Sequence, residues 1–381
     1  MIALFEAKNK MQGATMHLVT GGCGFIGRAL VGELLEFGHE VRVLDNLIDQ
    51  VHGDAEPELP SGVELIRGDI RDKAVVEKAL DGVEGVFHLA AEVGVGQSMY
   101  EIARYVGVNE LGTAVLLEAL IDRPVRRLVV ASSMSVYGEG LYTDAKGCVV
   151  GKARRRPEDI RSGAWDPREG DGQPLKPIPT DETKPVDLAS IYALSKYAQE
   201  RACLIFGEAY PVETVALRLF NVFGPGQALS NPYTGVLANF GSRLANGERP
   251  TIFEDGRQKR DFVHVRDVAR GFRLAMEAPS AAGQVINIGS GRSYAIADVA
   301  EMLACAMGVP ELSPEILSRA RIGDIRHCFA DLSKARELLG FSPQHRLEDS
   351  LCELAAWIRA ETSVDRGAQM RSELEARGLV T

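Results

Sequence analysis

Tyr192-Ala193-Leu194-Ser195-Lys196 sets a phenol and an ammonium at positions i and i+4. On a helix those positions share one face, so the two groups stand one turn apart. A cation there lowers the phenol from its free value near 10 and brings a phenolate within reach of neutral pH. Tyr192 is then a general base for a sugar or alcohol hydroxyl. The same spacing also occurs on ordinary surface helices, so its neighbours decide its meaning. Upstream, Val129-Val130-Ala131-Ser132-Ser133-Met134-Ser135-Val136-Tyr137-Gly138 reads as a buried strand running into a serine-rich turn. A serine at such a strand end either caps the chain or holds the reacting oxygen and shares its proton with Tyr192.

A second set of residues reads as a nucleotide cradle. Thr20-Gly21-Gly22-Cys23-Gly24-Phe25-Ile26-Gly27 has glycines at 21, 24 and 27 between an apolar run and a helical pattern. The first glycine permits a tight turn, the second lets backbone approach a pyrophosphate, and the third lets the helix pack on the strand. After the next strand comes Asp45, about 20 residues on, where an acid takes the adenosine ribose hydroxyls. Gly68-Asp69-Ile70-Arg71-Asp72 offers an acid and an apolar pair for an adenine edge, or a simple helix cap. In His88-Leu89-Ala90-Ala91, small residues at a strand end leave room for a ligand, or merely pack closely.

These groups need a scaffold. Strand patterns at 16–20, 41–45, 63–67, 85–90 and 127–132 alternate with helical patterns at 25–37, 72–80 and 98–120. That rhythm means βαβ units and a parallel sheet with helices on both faces. Residues 142–185 break the rhythm: they hold Lys152, Arg154, Arg155 and Arg156 with many prolines and glycines. This stretch reads as a long loop whose basic run forms a solvated face. Helical spacing returns at 191–206, followed by a strand at 214–219. Further on are helices at 233–246, 295–307 and 347–360, and strands near 251–253 and 284–288. The expected organisation is a flexible leader over 1–15 and a nucleotide-binding domain over 16–221. A mainly substrate-binding lobe follows over 222–350, then a C-terminal helix and tail over 351–381.

The chain has 381 residues and a net charge of −10, which argues against a nucleic-acid partner. No apolar run is long enough to span a membrane, and the N-terminus does not read as a secretory signal. Cysteines 23, 148, 203, 305, 328 and 352 are scattered, as in reduced cytoplasmic proteins.

Taken in order, T-G-G-x-G-F-I-G, D-N-L, G-D-I-R-D, H-L-A-A, S-S-M-S-V-Y-G, Y-A-L-S-K and R-D-F-V-H-V-R-D-V resemble the extended short-chain dehydrogenase/reductases. The narrower resemblance is to their nucleotide-sugar epimerase/dehydratase branch, over about residues 16–350. It implies an α/β fold: a Rossmann-type doubly wound parallel sheet with a smaller C-terminal substrate lobe. It also implies NAD, cradled by Gly21, Gly24, Phe25, Ile26 and Gly27, with Asp45 and Asn46 on the adenosine ribose. Asp69 and Ile70 fall at adenine; Leu89, Ala90 and Ala91 run along the pyrophosphate and ribose; Asn109, Ala131 and Val222 also match cofactor positions. Ser133, Tyr192 and Lys196 match the catalytic set, with Lys196 also on the nicotinamide ribose. Ser133 is preferred to Ser132 because the family's hydroxyl stands five residues before the glycine of V-Y-G. Val93, Ser133, Ser135, Asn221, Arg260, Arg321 and Asp324 match substrate positions, and the two arginines suit a diphosphate. Family resemblance further implies a homodimer built on the helices near 98–120 and 191–206.

The reaction is narrowed by two residues. Family 4,6-dehydratases follow the catalytic hydroxyl with Asp-Glu, whereas this chain has Met134 and Ser135, neither an acid/base at neutral pH. A decarboxylase's Glu at the second position is missing too. The expectation is therefore an isomerase, a 4-epimerase acting through transient oxidation at sugar C4. Glu92 to Ser98 and the long insert look like bacterial dTDP-L-rhamnose 4-epimerases of deoxysugar biosynthesis. Val93 and Met134 suit a deoxy sugar's methyl. Alternatives are a UDP-glucose or UDP-glucuronate type 4-epimerase, a 4-keto-sugar reductase or decarboxylase, or a non-catalytic nucleotide-binding regulator. Only Cys148 falls in the insert, so no structural zinc is expected.

Overall fold

The computed structural model describes residues 15–53, 57–170, 172–229, 235–321, 323–361 and 367–380. Its frame is a seven-stranded sheet of β1 (Met16–Thr20), β2 (Glu40–Asp45), β3 (Glu64–Arg67), β4 (Gly85–His88), β5 (Arg127–Ser133), β6 (Glu213–Leu219) and β7 (Val285–Ile288). The spatial order is β7-β6-β5-β4-β1-β2-β3, and every pairing is parallel. Strands buried on both faces need continuous apolar runs, which is why Leu18, Val19, Val86, Phe87, Val129 and Val130 are fully buried. The order reverses between β1 and β4, so a crevice opens there at the carboxyl ends of the strands.

Helices cover both faces. On one, α1 (Phe25–Glu36) contributes Leu30, Val31 and Leu34. On the other, α2 (Lys73–Ala79), α3 (Gly112–Asp122) and α4 (Ile191–Ala209) contribute Val76, Leu116, Leu120, Leu204 and Phe206. A separate core joins α5 (Val236–Ala245), α7 (Ile296–Ala306) and α8 (Leu347–Ala360) through Leu237, Phe240, Val299, Leu303, Leu351 and Ile358. Between them in sequence, α6 (Val265–Glu277) and β7 go back to the large sheet, where Phe272 packs in the α1 core. Among the described residues no helix is long and apolar enough to cross a membrane.

Two expectations are corrected. The single helix over 98–120 is broken into Val95–Ser98, Ile102–Tyr105, a π-helical turn at Val106–Leu111, and α3. The wide turn carries Asn109 into the interior, where it bonds the Glu92 backbone and Ser195. The 142–185 insert is not a plain loop. Leu141–Thr143 pairs antiparallel with Val149–Val150 and with Lys176–Ile178, beside a helix at Pro157–Arg161 and over a small core of Tyr142, Ala153 and Leu175. Strands this short leave no alternation to read. The tail forms α9 (Gly367–Ala376), and Val380 makes an antiparallel bridge with Arg321. Of the expected leader, only Thr15 is among the described residues.

Candidate functional site

At the crevice lies a cleft of about 1000 Å³. One wall is the glycine turn. Gly21 has φ +70, and a Cβ there would stand 2.9 Å from the Ala90 nitrogen. At Gly27 a Cβ would meet the Gly21 carbonyl at 2.3 Å, so only glycine lets α1 seat against β1. Gly24 is different: the nearest atom to an added Cβ is 3.3 Å away. It is the N-cap of α1, and no side chain caps that helix start. The uncapped N–H groups and the positive helix end form an anion seat at the cleft. Asp45, 8% exposed, accepts from the Cys23 nitrogen at 3.0 Å and the Leu47 nitrogen at 2.9 Å. Those bonds fix its carboxylate at the mouth of the turn.

The opposite wall carries the hydroxyls. Ser190 caps α4 by accepting from the Ala193 nitrogen at 3.1 Å, which puts Tyr192 in the first turn. The Tyr192 ring lies edge-on to Tyr105 at 6.4 Å, and its backbone nitrogen donates to Ser98 Oγ at 3.0 Å. Ser133, at the end of β5, accepts from Ser135 Oγ at 2.9 Å, and its hydroxyl faces the Tyr192 phenol closely enough to lower it. Ser135, Ser133 and Tyr192 thus bring three hydroxyls together in the cleft. Burial raises the phenol above its ordinary value, and the Ser133 bond pulls it back. Lys196 does not tune it as expected. Its ammonium donates instead to Gln199 Oε1 at 2.7 Å, and burial lowers it to about 8. Gln199 Nε2 donates to Thr113 Oγ1 at 2.9 Å and lies 3.3 Å from His88, which burial pushes down to about 3 and leaves neutral.

At the far end, Arg260 donates to the carbonyls of Lys259 and Arg326 at 3.0 and 2.9 Å, and also to that of Ile325. No carboxylate is within ion-pair distance of it among the described residues. Burial lowers the Arg260 guanidinium, Asp324, Glu139 and Glu254 nearby oppose that, and the group, held by carbonyls, stays charged for an anion. Arg321, in contrast, is paired with Asp324 at 2.8 Å and lies over the Phe253 ring at 4.7 Å. Asn221 Oδ1 and Gln258 Oε1 are buried without a hydrogen-bond partner among the described residues. Such acceptors in a cleft await a donor.

Nearly every residue singled out from sequence lines this cleft: Gly21, Gly24, Phe25, Ile26, Gly27, Asp45, Asn46, Ile70, Leu89, Ala90, Ala91, Val93, Ala131, Ser133, Ser135, Tyr192, Lys196, Asn221, Val222, Arg260, Arg321 and Asp324. Two do not. Asn109 is fully buried and holds the Glu92 backbone to α4. Asp69 is tied to Arg71 at 2.6 Å, which holds its carboxyl below the usual range. The sequence reading passed over Gln258, Phe253 and Gln199, for which spacing offers no signal. It also passed over Leu374 and Leu379, which the tail brings to the cleft.

Residues 17–289 match the model of the NAD dependent epimerase/dehydratase family. The dTDP-L-rhamnose 4-epimerase of Burkholderia thailandensis is 37% identical over 90% of this chain and 95% of its own length. The UDP-glucose 4-epimerase of Thermotoga maritima, solved with UDP-glucose, superposes with TM-score 0.74 at 31% identity, covering 91% of this chain and 99% of that one. The UDP-glucuronic acid 4-epimerase of Bacillus cereus, solved with UDP-glucuronic acid and NAD, superposes with TM-score 0.75 at 28% identity and covers 91% and 99%.

Proposed function

We propose that this chain, which belongs to the NAD-dependent epimerase/dehydratase family, is a nucleotide-sugar 4-epimerase acting on a dTDP-linked 6-deoxyhexose such as dTDP-L-rhamnose. The observation that carries the reading is the group of hydroxyls Ser135, Ser133 and Tyr192, set in one cleft with the uncapped glycine turn and an Arg260 that makes no ion pair among the described residues. The residues fit NAD. The α1 N-terminus offers N–H groups to a pyrophosphate, Asp45 offers a fixed carboxylate to ribose hydroxyls, and Ile70 offers an apolar edge for adenine. A carboxylate there repels a 2′-phosphate, which favours NAD over NADP. When bound, nicotinamide supplies a hydride acceptor and donor at sugar C4.

The chain's own residues handle the proton. As its phenolate, which burial disfavours and which the Ser133 hydroxyl and the positive charge of a bound nicotinamide would favour, Tyr192 Oη takes the C4 hydroxyl proton, with Ser133 holding the same oxygen and Ser135 supporting Ser133. On return, Tyr192 gives the proton back to the opposite epimer. Arg260 anchors the diphosphate, so the pyranose can turn over between the two half-reactions. Water elimination lacks its acid: Met134 and Ser135 stand where it would be. The B. thailandensis relative and the apolar Val93 at the cleft favour the deoxy sugar over UDP-glucose.

We also read the chain as a cytoplasmic homodimer. Val106 and Leu111, on one predicted interface helix, are 37% and 53% exposed, and Leu194 and Ile205 on the other are 45% and 54% exposed. All six cysteines are free, as a reducing compartment requires.

The test of the proton step is Tyr192→Phe. Turnover of dTDP-L-rhamnose should fall about 10²–10⁴-fold, while NAD content after purification is unchanged. Undiminished turnover would remove Tyr192 from the reaction.

A further inference from the structure

A buried ionic cluster joins the 142–185 insert to the cleft. Lys152, Arg154 and Arg156 are exposed, and Arg154 and Arg156 pair with Asp187 and Asp159 on the surface. Arg155 differs: its side chain is 6% exposed. Its Nε lies 3.1 Å from Glu139 Oε1, its Nη1 pairs with Glu254, and its Nη2 donates to the Asp324 carbonyl.

Each of those three contacts supports part of the substrate end. Glu139 directly follows the catalytic turn. It accepts from the backbone nitrogens of Arg326 at 2.8 Å and His327 at 3.2 Å. The carbonyls of Ile325 and Arg326 orient Arg260. Glu254 holds a left-handed backbone, φ 58, beside Phe253, and its other oxygen takes Arg326 Nη1 at 2.9 Å. Asp324 is the partner of Arg321, whose guanidinium lies on Phe253. A second insert residue, Asp166, accepts from Arg326 Nε at 2.8 Å. One guanidinium with five fixed donors can bridge all three supports; a point cation cannot.

We propose that Arg155 is a positioning residue for the substrate's anionic group: through Glu139, Glu254 and the Asp324 carbonyl, the insert sets the carbonyl frame that aims Arg260 into the cleft. This rests on the reading of Arg260 as the diphosphate anchor. The test is a double-mutant cycle on the holoenzyme with Arg155→Met, Arg260→Met and the pair. It reads kcat and KM for dTDP-L-rhamnose and calorimetric Kd for dTDP. Arg155→Met should raise KM and the dTDP Kd by about tenfold while kcat and NAD content hold within about threefold. In the Arg260→Met background the same change should add less than about twofold, because the group it positions is gone. Equal effects in both backgrounds, or a loss of thermal stability with KM unchanged, overturns the proposal alone. A dTDP Kd untouched by Arg260→Met overturns the diphosphate reading, and this proposal with it. Arg155→Lys keeps a cation for Glu139 and Glu254 but cannot also reach the Asp324 carbonyl. If Arg155→Met does not fold, a KM raised severalfold in Arg155→Lys supports the proposal and an unchanged KM overturns it.

Discussion

Lys196→Met is expected to stabilise the protein while disabling it. Burial lowers Lys196 from 10.5 to about 8. At neutral pH the folded chain therefore carries an ammonium that costs about 3 kcal/mol. Below about pH 8 both folded and unfolded chains hold the proton, so the cost is fully present. Between about 8 and 10.5 the folded chain releases it first, and the cost fades as pH rises. Methionine keeps the unbranched bulk and removes the charge. It also leaves Gln199 Oε1 without its donor, a loss of about 1–2 kcal/mol. The net expectation is a gain of about 1–2 kcal/mol below pH 8 that shrinks toward pH 10. The assay is urea unfolding of the cofactor-stripped protein over that pH range, since bound NAD would add its own stabilisation. Turnover is measured alongside and should fall about 10²-fold or more, because the ammonium that the family resemblance places on the nicotinamide ribose is gone. A variant less stable at pH 7, or a difference that does not change with pH, would refute the placement of a buried ammonium at this position. Near-normal turnover would refute its part in the chemistry.

Other outcomes follow from the same geometry. Asp45→Ala should weaken NAD by about tenfold or more and leave the Kd for dTDP nearly unchanged; equal losses would argue against ribose recognition there. The double change Leu111→Glu and Ile205→Glu should convert a dimer to monomers in sedimentation, because charges replace exposed apolar groups on both proposed interface helices. An unchanged sedimentation coefficient would place the interface elsewhere or show the chain to be monomeric.

The sheet and the cradle were legible because their determinants are local. Apolar runs, a glycine turn and an acid after β2 each constrain a few adjacent residues, and β1, β2 and α1 lie where those patterns put them. The same holds for Ser133 and Tyr192, which arrive at one cleft from the ends of neighbouring elements. What escaped depends on partners distant in sequence. Nothing near Arg155 distinguishes it from the exposed cations on either side; its burial is decided by Glu139 and Glu254. A π turn aims Asn109 inward, and no spacing announces it. Lys196 was read against Tyr192, but Gln199, one turn further along the same helix, holds its ammonium. The insert's strands have two or three residues each, too few to show a period.

The account stands on hydride leaving and returning to one carbon while Tyr192 carries the proton. The most direct measurement uses dTDP-L-rhamnose deuterated at C4, incubated with the purified protein without added cofactor or reductant, and followed by NMR. The account predicts the C4 epimer with deuterium retained at C4. Loss of the label to solvent, a strict need for added NAD(P)H, or an unaltered C4 configuration would contradict it.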